Sequence, residues 1–330
     1  MPEKNGQPVK VSLAICTHNP KLPFLQRALD ALSQQTLPTG EWELLIVDNC
    51  SDRAVKDMIC TAWHPRTIWL QEPRLGLTFA RLCALRSAQA DLIIFVDDDN
   101  LLDSDYLENA CRIYAEYPGL GAFGSGNIVP EFEVHPPEWA RHFLSYLALR
   151  GVTCIQISDR FHAGPRPWGA GLCVSGNVGQ AYIAAAQQDS LIMALDRRGR
   201  ELLSGGDDLF SLVAQNLGCK FGVFPDLRLT HLIPKERFEH SYIKSLVRGN
   251  ACSHSMLASI SGQSTANPST IPSWKAALAL VMTGNRALGW EQFIAFVQFA
   301  SKTKLEREVL YEAFWGWQEG LSRVGESVPD

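Results

Sequence analysis

Short apolar runs alternate with stretches of helical periodicity over the first hundred positions. Residues 11–16 are almost wholly apolar and stop at Thr17-His18-Asn19-Pro20, which predicts a buried strand entering a turn. Leu22, Leu25, Leu29 and Leu32 then recur at helical spacing. A second strand is predicted at 43–47, stopped by Asp48-Asn49-Cys50-Ser51-Asp52, with a polar helix after it at 53–63. A third strand follows at 67–70. Residues 76–90 read as a helix with Leu77, Ala80, Ala84 and Ala88 along one face. A fourth strand, 92–96, runs straight into Asp97-Asp98-Asp99.

Strand and helix in alternation predict parallel β-α-β units in a sheet covered on both faces. Such sheets bind ligands beyond the carboxyl ends of their strands. The polar clusters stand at those ends: Thr17 and Asn19, Asp48 and Asn49, then the three aspartates.

The pattern loosens after a helix at 104–117. Gly, Pro and Trp are dense between 119 and 180, which predicts a loop-rich, functional stretch. A helix is expected at 208–217 and strands at 221–224 and 227–232. From 236 the chain reads as helices, at 273–283, 288–300 and 304–321 after a break at 267–272. Phe293, Phe296, Phe299, Tyr311, Phe314, Trp315 and Trp317 fall at helical spacings. Core packing is the first reading of these aromatics, and a membrane or substrate surface is the second.

Hydrophobic residues make up 46% of the 330 positions, charged residues 20%, and the net charge is −5. That composition excludes global disorder, and the missing basic excess argues against nucleic-acid binding. The longest apolar run, 276–282, is too short to span a bilayer. The polar first ten residues do not read as a signal peptide. Nine scattered cysteines without a C-x-x-C pair predict buried, reduced thiols. A cytoplasmic protein is the expectation, with a peripheral contact to the cytoplasmic face of a membrane left open.

The aspartate triplet is the sharpest chemical feature. In extended chain Asp97 and Asp99 would share a face and Asp98 would point away. Packed like charges need a cation or donors, and hard divalent cations take carboxylate oxygens together with substrate phosphates. An acidic loop that caps the next helix is the plainer alternative. A second acid pair, Asp207 and Asp208, follows Gly205-Gly206 and opens a predicted helix, about 100° apart around its axis.

Several motifs in order resemble the family 2 glycosyltransferases. They are Val11-Ser12-Leu13-Ala14-Ile15-Cys16-Thr17-His18-Asn19, then Ile46-Val47-Asp48-Asn49-Cys50-Ser51-Asp52, then Gly76-Leu77-Thr78-Phe79-Ala80-Arg81 and Phe95-Val96-Asp97-Asp98-Asp99. Trp168-Gly169-Ala170-Gly171, Gly205-Gly206-Asp207-Asp208 and His231 continue the series, so the resemblance covers about 10–235. It implies a GT-A fold: a Rossmann-like, nucleotide-diphospho-sugar transferase α/β architecture with a mixed sheet flanked by helices. The catalytic domain would be 10–235, after a tail at 1–9 and before a C-terminal helical extension at 236–330.

The resemblance also implies a nucleotide-sugar site. Thr17 and Asn19 would lie near the nucleotide, Asp48 or Asn49 at the base, and Arg81 toward the nucleotide or its diphosphate. Asp97 would contact the ribose side, with Asp98 beside it. Asp99 would hold Mn²⁺ or Mg²⁺ in the D-x-D manner, with His231 as a further ligand. Gly169 and Gly171 would let backbone approach the donor sugar, Asp208 would be the catalytic base, and Asp207 would support it near the acceptor. The implied reaction is inverting transfer from a nucleoside diphosphate sugar, UDP first, to a hydroxyl of a glycan or lipid-linked glycan in polysaccharide biosynthesis. The chain departs from the family's common pattern at Leu82, where Asn is frequent, and at Leu209-Phe210, where a further acid is frequent.

Gly119-Leu120-Gly121-Ala122-Phe123-Gly124 fits G-x-G-x-x-G but follows a helix, against a dinucleotide site. Two rivals remain. A sugar nucleotidyltransferase would carry a Gly-rich basic loop after the first strand, where Thr17-His18-Asn19-Pro20-Lys21 stands. A non-catalytic sugar-nucleotide or glycan-binding protein would have no use for Asp99 and Asp208.

Overall fold

The computed structural model describes residues 8–161, 164–199, 201–262 and 304–327. The chain divides into two compact units: one of residues up to Met193 together with Gly206–Lys235, the other of Ala194–Gly205 together with 236 onward.

The first unit is a mixed α/β structure. In chain order it contains β1 (Val11–Thr17), α1 (Leu22–Ser33), β2 (Trp42–Asp48), β3 (Thr67–Gln71), α2 (Leu77–Ser87), β4 (Leu92–Val96), β5 (Asn100–Leu102), α3 (Tyr106–Glu116) and β6 (Leu120–Phe132). Then come β7 (Arg150–Gly151), β8 (Gln156–Ser158), β9 (Leu172–Ser175), α4 (Gly176–Gln188), α5 (Ser190–Met193), α6 (Gly206–Asn216) and β10 (Lys220–Ile233). One ten-stranded sheet takes the order β3-β2-β1-β4-β9-β6-β10-β5, with β7 on β6 and β8 on β10. β1 pairs in parallel with β2 and β4, whereas β9 is antiparallel to β4 and β6.

β1, β2 and β4 read as continuous apolar runs because both their faces are covered. Val11, Leu13, Ala14 and Ile15 are all fully buried. Leu25, Ala28, Leu29 and Leu32 form the buried stripe of α1, each leucine contributing about 1.5–3 kcal/mol on removal from water. The parallel register aligns Thr17 with Asp48 and Ile15 with Val96. The polar strand ends therefore share one edge of the sheet, as the alternation predicted.

Five expectations need correction. No helix forms at 53–63; the segment holds only a 3₁₀ turn at Val55–Asp57. The Asp48 carboxylate accepts Ser51 N–H at 3.1 Å and Val55 N–H at 3.0 Å. At the far end Trp63 and His64 pack on Trp42, with ring centroids 6.2 and 4.0 Å away. Both ends are thus fixed in a loop that propensity alone does not describe.

The aspartate triplet is not extended either. β4 stops at Val96, and Asn100 N–H bonds to Asp97 O at 3.1 Å, closing a turn that leads into β5. The loop-rich reading of 119–180 overlooked the thirteen-residue strand β6. Within it Gly121 serves close packing: a Cβ there would lie 2.8 Å from both Cys219 Cβ and Val178 Cγ2. The cysteines are all free, but only Cys173 and Cys252 are buried, and Cys60 and Cys154 are exposed. The strands expected at 221–224 and 227–232 form one strand, β10, irregular between Phe224 and Arg228 where Pro225 stands.

In the second unit α7 (His240–Ile260) packs against α8 (Lys304–Ser327). Arg248 of α7 pairs with Glu312 at 3.3 Å and Glu319 at 3.1 Å on α8. Trp315 is exposed, so the aromatic stripe is not wholly core. The helices expected at 273–283 and 288–300, the break at 267–272, and Phe293, Phe296 and Phe299 lie outside the described residues. Among the described residues no helix is long and apolar enough to cross a membrane.

Candidate active site

Each aspartate of the turn after β4 faces a different partner. The Thr17 hydroxyl donates to the Asp98 carboxylate, so Asp98 is turned into the site edge and not away from it. Asp99 Oδ1 accepts Asn100 Nδ2 at 3.0 Å, and Asp99 Oδ2 lies 3.4 Å from His231 Nε2. Pairing of β5 with β10 sets Asn100 opposite His231, and Leu232 N–H bonds to Asp99 O at 2.8 Å. This ladder brings a histidine more than a hundred residues away onto the acidic turn.

The donor set suits a hard divalent cation. His231 is buried, and its Nδ1 has no hydrogen-bond partner among the described residues; nor has Asn100 Oδ1. Among the described residues no group of three or more His, Cys, Asp or Glu side chains is arranged to hold a metal. A Mg²⁺-type ion does not require one, because it is commonly bound by one or two protein ligands with substrate phosphates and water.

A second convergence surrounds Gly169. Its N–H donates to Asp207 Oδ2 at 2.8 Å. A Cβ built there would lie 2.8 Å from Arg81 Nη2, 3.8 Å from Asp207 Oδ2 and 4.0 Å from Asp97 Oδ2. Arg81 on α2 is only 3% exposed and faces the Phe95 ring at 5.8 Å. Three predicted residues from α2, the β4 turn and the start of α6 thus meet at one glycine. Gly171 has a different surrounding. It sits at φ +73°, and its Cβ would lie 2.3 Å from Tyr106 Oη and 2.6 Å from Ser125 Oγ. The Tyr106 hydroxyl donates to Gly171 O at 2.6 Å, and burial pushes that phenol well above its usual pKa. Gly171 therefore closes the packing beneath the loop, while Gly169 faces the charged groups.

Asp208 is buried at the first turn of α6 and meets Arg166, whose Nε lies 2.8 Å from Asp208 Oδ1. The two adjacent acids take different partners, as their helical separation predicts. Arg166 and its neighbour Arg150 escaped the sequence reading. The Pro165-Arg166-Pro167-Trp168 cluster marked the stretch as functional, but nothing local tied either arginine to an acid 40 or more positions on.

Asp48 and Asn49 are committed to the loops around them. Beyond the two N–H groups held by Asp48, Asn49 Nδ2 donates to Glu72 O at 3.0 Å and Arg74 O at 2.7 Å, and its Oδ1 accepts Gly76 N–H at 2.8 Å. Asn19, at φ +49°, accepts Asp52 N–H through Oδ1 at 2.8 Å, and its own N–H donates to Ser51 Oγ at 2.9 Å. These side chains bind the β1, β2 and β3 loops into one rim.

Residues 12–158 match the family model described as Glycosyl transferase family 2. The poly(ribitol-phosphate) beta-N-acetylglucosaminyltransferase TarS of Staphylococcus aureus is 24% identical over 112 residues, 33% of this chain and 19% of TarS. The glycosyltransferase AglE of Haloferax volcanii is 28% identical over 101 residues, 30% of this chain and 33% of AglE. The matched stretch thus spans a third or less of these two relatives' length. Among solved structures, the mannosyltransferase PcManGT from Pyrobaculum calidifontis, in complex with GDP-Man and Mn²⁺, superposes with a TM-score of 0.55 at 19% identity, covering 98% of this chain and 91% of that one. Residues 12–158 are thus similar to glycosyl transferase family 2 sequences, and the fold is GT-A.

Proposed function

We propose that this chain is a metal-dependent, inverting glycosyltransferase that moves a sugar from a nucleoside diphosphate donor, UDP-linked in the first instance, to a hydroxyl of a glycan or lipid-linked glycan. The observation that carries the reading is the meeting of Arg81, Asp97 and Asp207 at Gly169, on the sheet edge that also holds Asp99 and His231. A family 2 sequence and a GT-A fold support it. Work at the cytoplasmic face of a membrane, in polysaccharide assembly, fits the same reading.

In this reading Thr17 and Asn19 border the nucleotide, and Asp48 and Asn49 act there through the loops they fix. Asp97 takes the ribose side, Asp98 holds Thr17, and Arg81 faces the diphosphate, whose charge a planar guanidinium suits. Asp99 and His231 would hold Mn²⁺ or Mg²⁺, which when bound neutralises charge on the departing diphosphate. The bare backbone of Gly169 leaves room for the donor sugar, and Gly171 supports it from below. Asp208 takes the acceptor hydroxyl's proton, in reach of a group whose own pKa is far too high to ionise unaided. Asp207 fixes the Gly169 peptide while flanking the acceptor.

One observation favours the non-catalytic alternative: Asp208 is already engaged by Arg166 at 2.8 Å. Turnover decides between the readings. Nucleoside diphosphate release from a panel of nucleotide sugars with Mn²⁺, in the presence of a panel of neutral and acidic glycan acceptors, is measured for the native chain and Asp208→Asn. Donor affinity should be nearly unchanged, and turnover should fall about 10²–10⁴-fold, the usual worth of a general base. A native chain that binds donor but never turns over favours the binding protein. Turnover kept in Asp208→Asn and lost in Asp207→Asn reverses the two acids.

A further inference from the structure

Two arginines that the reaction leaves without a task stand beside the acid pair. The Arg166 guanidinium lies 4.7 Å from the Phe161 ring centroid, and its Nη1 donates to Phe161 O at 3.4 Å. Arg150, on the short strand β7, lies over the Trp168 ring at 3.6 Å and donates Nη2 to Arg166 O at 2.9 Å. Its Nη1 is buried and has no hydrogen-bond partner among the described residues. Burial lowers the Arg150 pKa to about 10; Arg166 presses the same way, and Asp208 and Asp207 oppose it.

An aromatic face under each guanidinium fixes the direction of its donors. Taking two cations partly out of water is costly unless an anion compensates both. The resting compensation is incomplete: Asp207 is bonded to Gly169 N–H at 2.8 Å, Asp208 faces Arg166, and one end of Arg150 is unmatched. Ring-backed guanidinium groups side by side suit a carboxylate or a phosphate ester, which accept planar, charge-assisted hydrogen bonds.

We propose that Arg150 and Arg166 form an anion subsite that receives a carboxylate or phosphate-ester group of a substrate, distinct from the donor's diphosphate, and that Arg166 leaves Asp208 for that group as the substrate seats. The proposal rests on the reading of Asp208 as the base. Arg81 and the Asp99–His231 pair already serve the diphosphate in that reading, so the second anion belongs to an acidic donor sugar or to an acidic acceptor. The exchange makes the base available only with the charged substrate in place. Neutral alcohols and water would meet an Asp208 still held by Arg166.

Inorganic phosphate, titrated calorimetrically at constant ionic strength into the full chain saturated with UDP and Mg²⁺, tests the subsite. The native chain should bind phosphate saturably. Arg150→Gln and Arg166→Gln should weaken binding about tenfold or more, since each removes a charge-assisted hydrogen bond. Arg150→Lys and Arg166→Lys should weaken it less, keeping the charge but losing the planar fork, and they supply the comparison should a Gln variant not fold. UDP affinity should not change in any of them. A preference for UDP-glucuronate over UDP-glucose that the Gln variants abolish places the anion on the donor. Equal affinity for the two, with phosphate still binding above UDP-glucose, places it on the acceptor. A chain that binds UDP but shows no saturable phosphate binding, or binds it equally in folded Gln variants, overturns the subsite alone. A chain that binds phosphate through the two arginines but no nucleotide overturns the transferase reading and keeps the subsite.

Discussion

Gly169→Ala should damage activity while leaving the fold almost untouched. Gly169 is not among the residues at positive φ, so alanine meets no backbone strain. Its loss of unfolded-state freedom would stabilise by about 0.4–1 kcal/mol. Against that, the new methyl would sit 2.8 Å from Arg81 Nη2, well inside a normal contact of about 3.5 Å or more. Arg81 is 3% exposed and must retreat by about 0.7–1 Å within packed surroundings, at a cost of about 1–3 kcal/mol. The two effects partly cancel in stability, leaving a net loss of about 1 kcal/mol. For catalysis they do not cancel, because a misplacement of about 1 Å costs about 10²-fold. The assay is kcat/KM from nucleoside diphosphate release, beside a thermal melt. Gly171→Ala is the contrast. At φ +73°, with Tyr106 Oη 2.3 Å from the added methyl, it should destabilise by about 3 kcal/mol or more, lowering Tm by about 6 °C or more. A folded Gly169→Ala with native kcat/KM would show that Arg81 is not held where the reaction needs it, and the site argument would fail at its centre.

Further outcomes follow from single interactions. Asn49→Ala removes three hydrogen bonds to buried loop backbone and should cost about 3–5 kcal/mol in urea unfolding; a loss under about 1 kcal/mol would mean the loops are held by something else. Burial, with Arg66 second, lowers the His64 pKa from 6.5 to about 4. Between those values the unfolded chain binds a proton that the native chain does not, so stability falls as pH drops from 6.5 to 4, by about 3 kcal/mol in all. His64→Phe should flatten that slope, and an unchanged slope in pH-dependent urea melts would assign it to other groups. Asp99→Asn should abolish the strengthening of UDP binding by Mn²⁺ in calorimetry, and a persisting Mn²⁺ effect would place the ion elsewhere.

The parallel strands and their polar ends were legible in the sequence because both depend on nearest neighbours. A strand buried on two faces must be apolar throughout, so 11–16, 43–47 and 92–96 declared themselves, and the polar residues that ended them had to fall on one edge. The acids that could carry chemistry were legible for the same local reason, since Asp97 to Asp99 and Asp207 with Asp208 stand beside strand and helix boundaries.

Everything that depends on partners far along the chain was decided by the tertiary structure. The loop at 53–63 reads as helix until Asp48 and Trp42 claim its two ends. β6 reads as loop until Cys219 and Val178 show why its Gly121 is small. Asp98 reads as outward-facing until the turn after β4 delivers it to Thr17. Gly169 and Gly171 look equivalent two positions apart, yet one faces Arg81 and the other Tyr106. The ion pair of Arg166 with Asp208, and Arg150 stacked on Trp168 beside it, had no local signal. A charge discloses its sign in the sequence, but the field it feels comes from whichever groups the fold brings within a few ångströms.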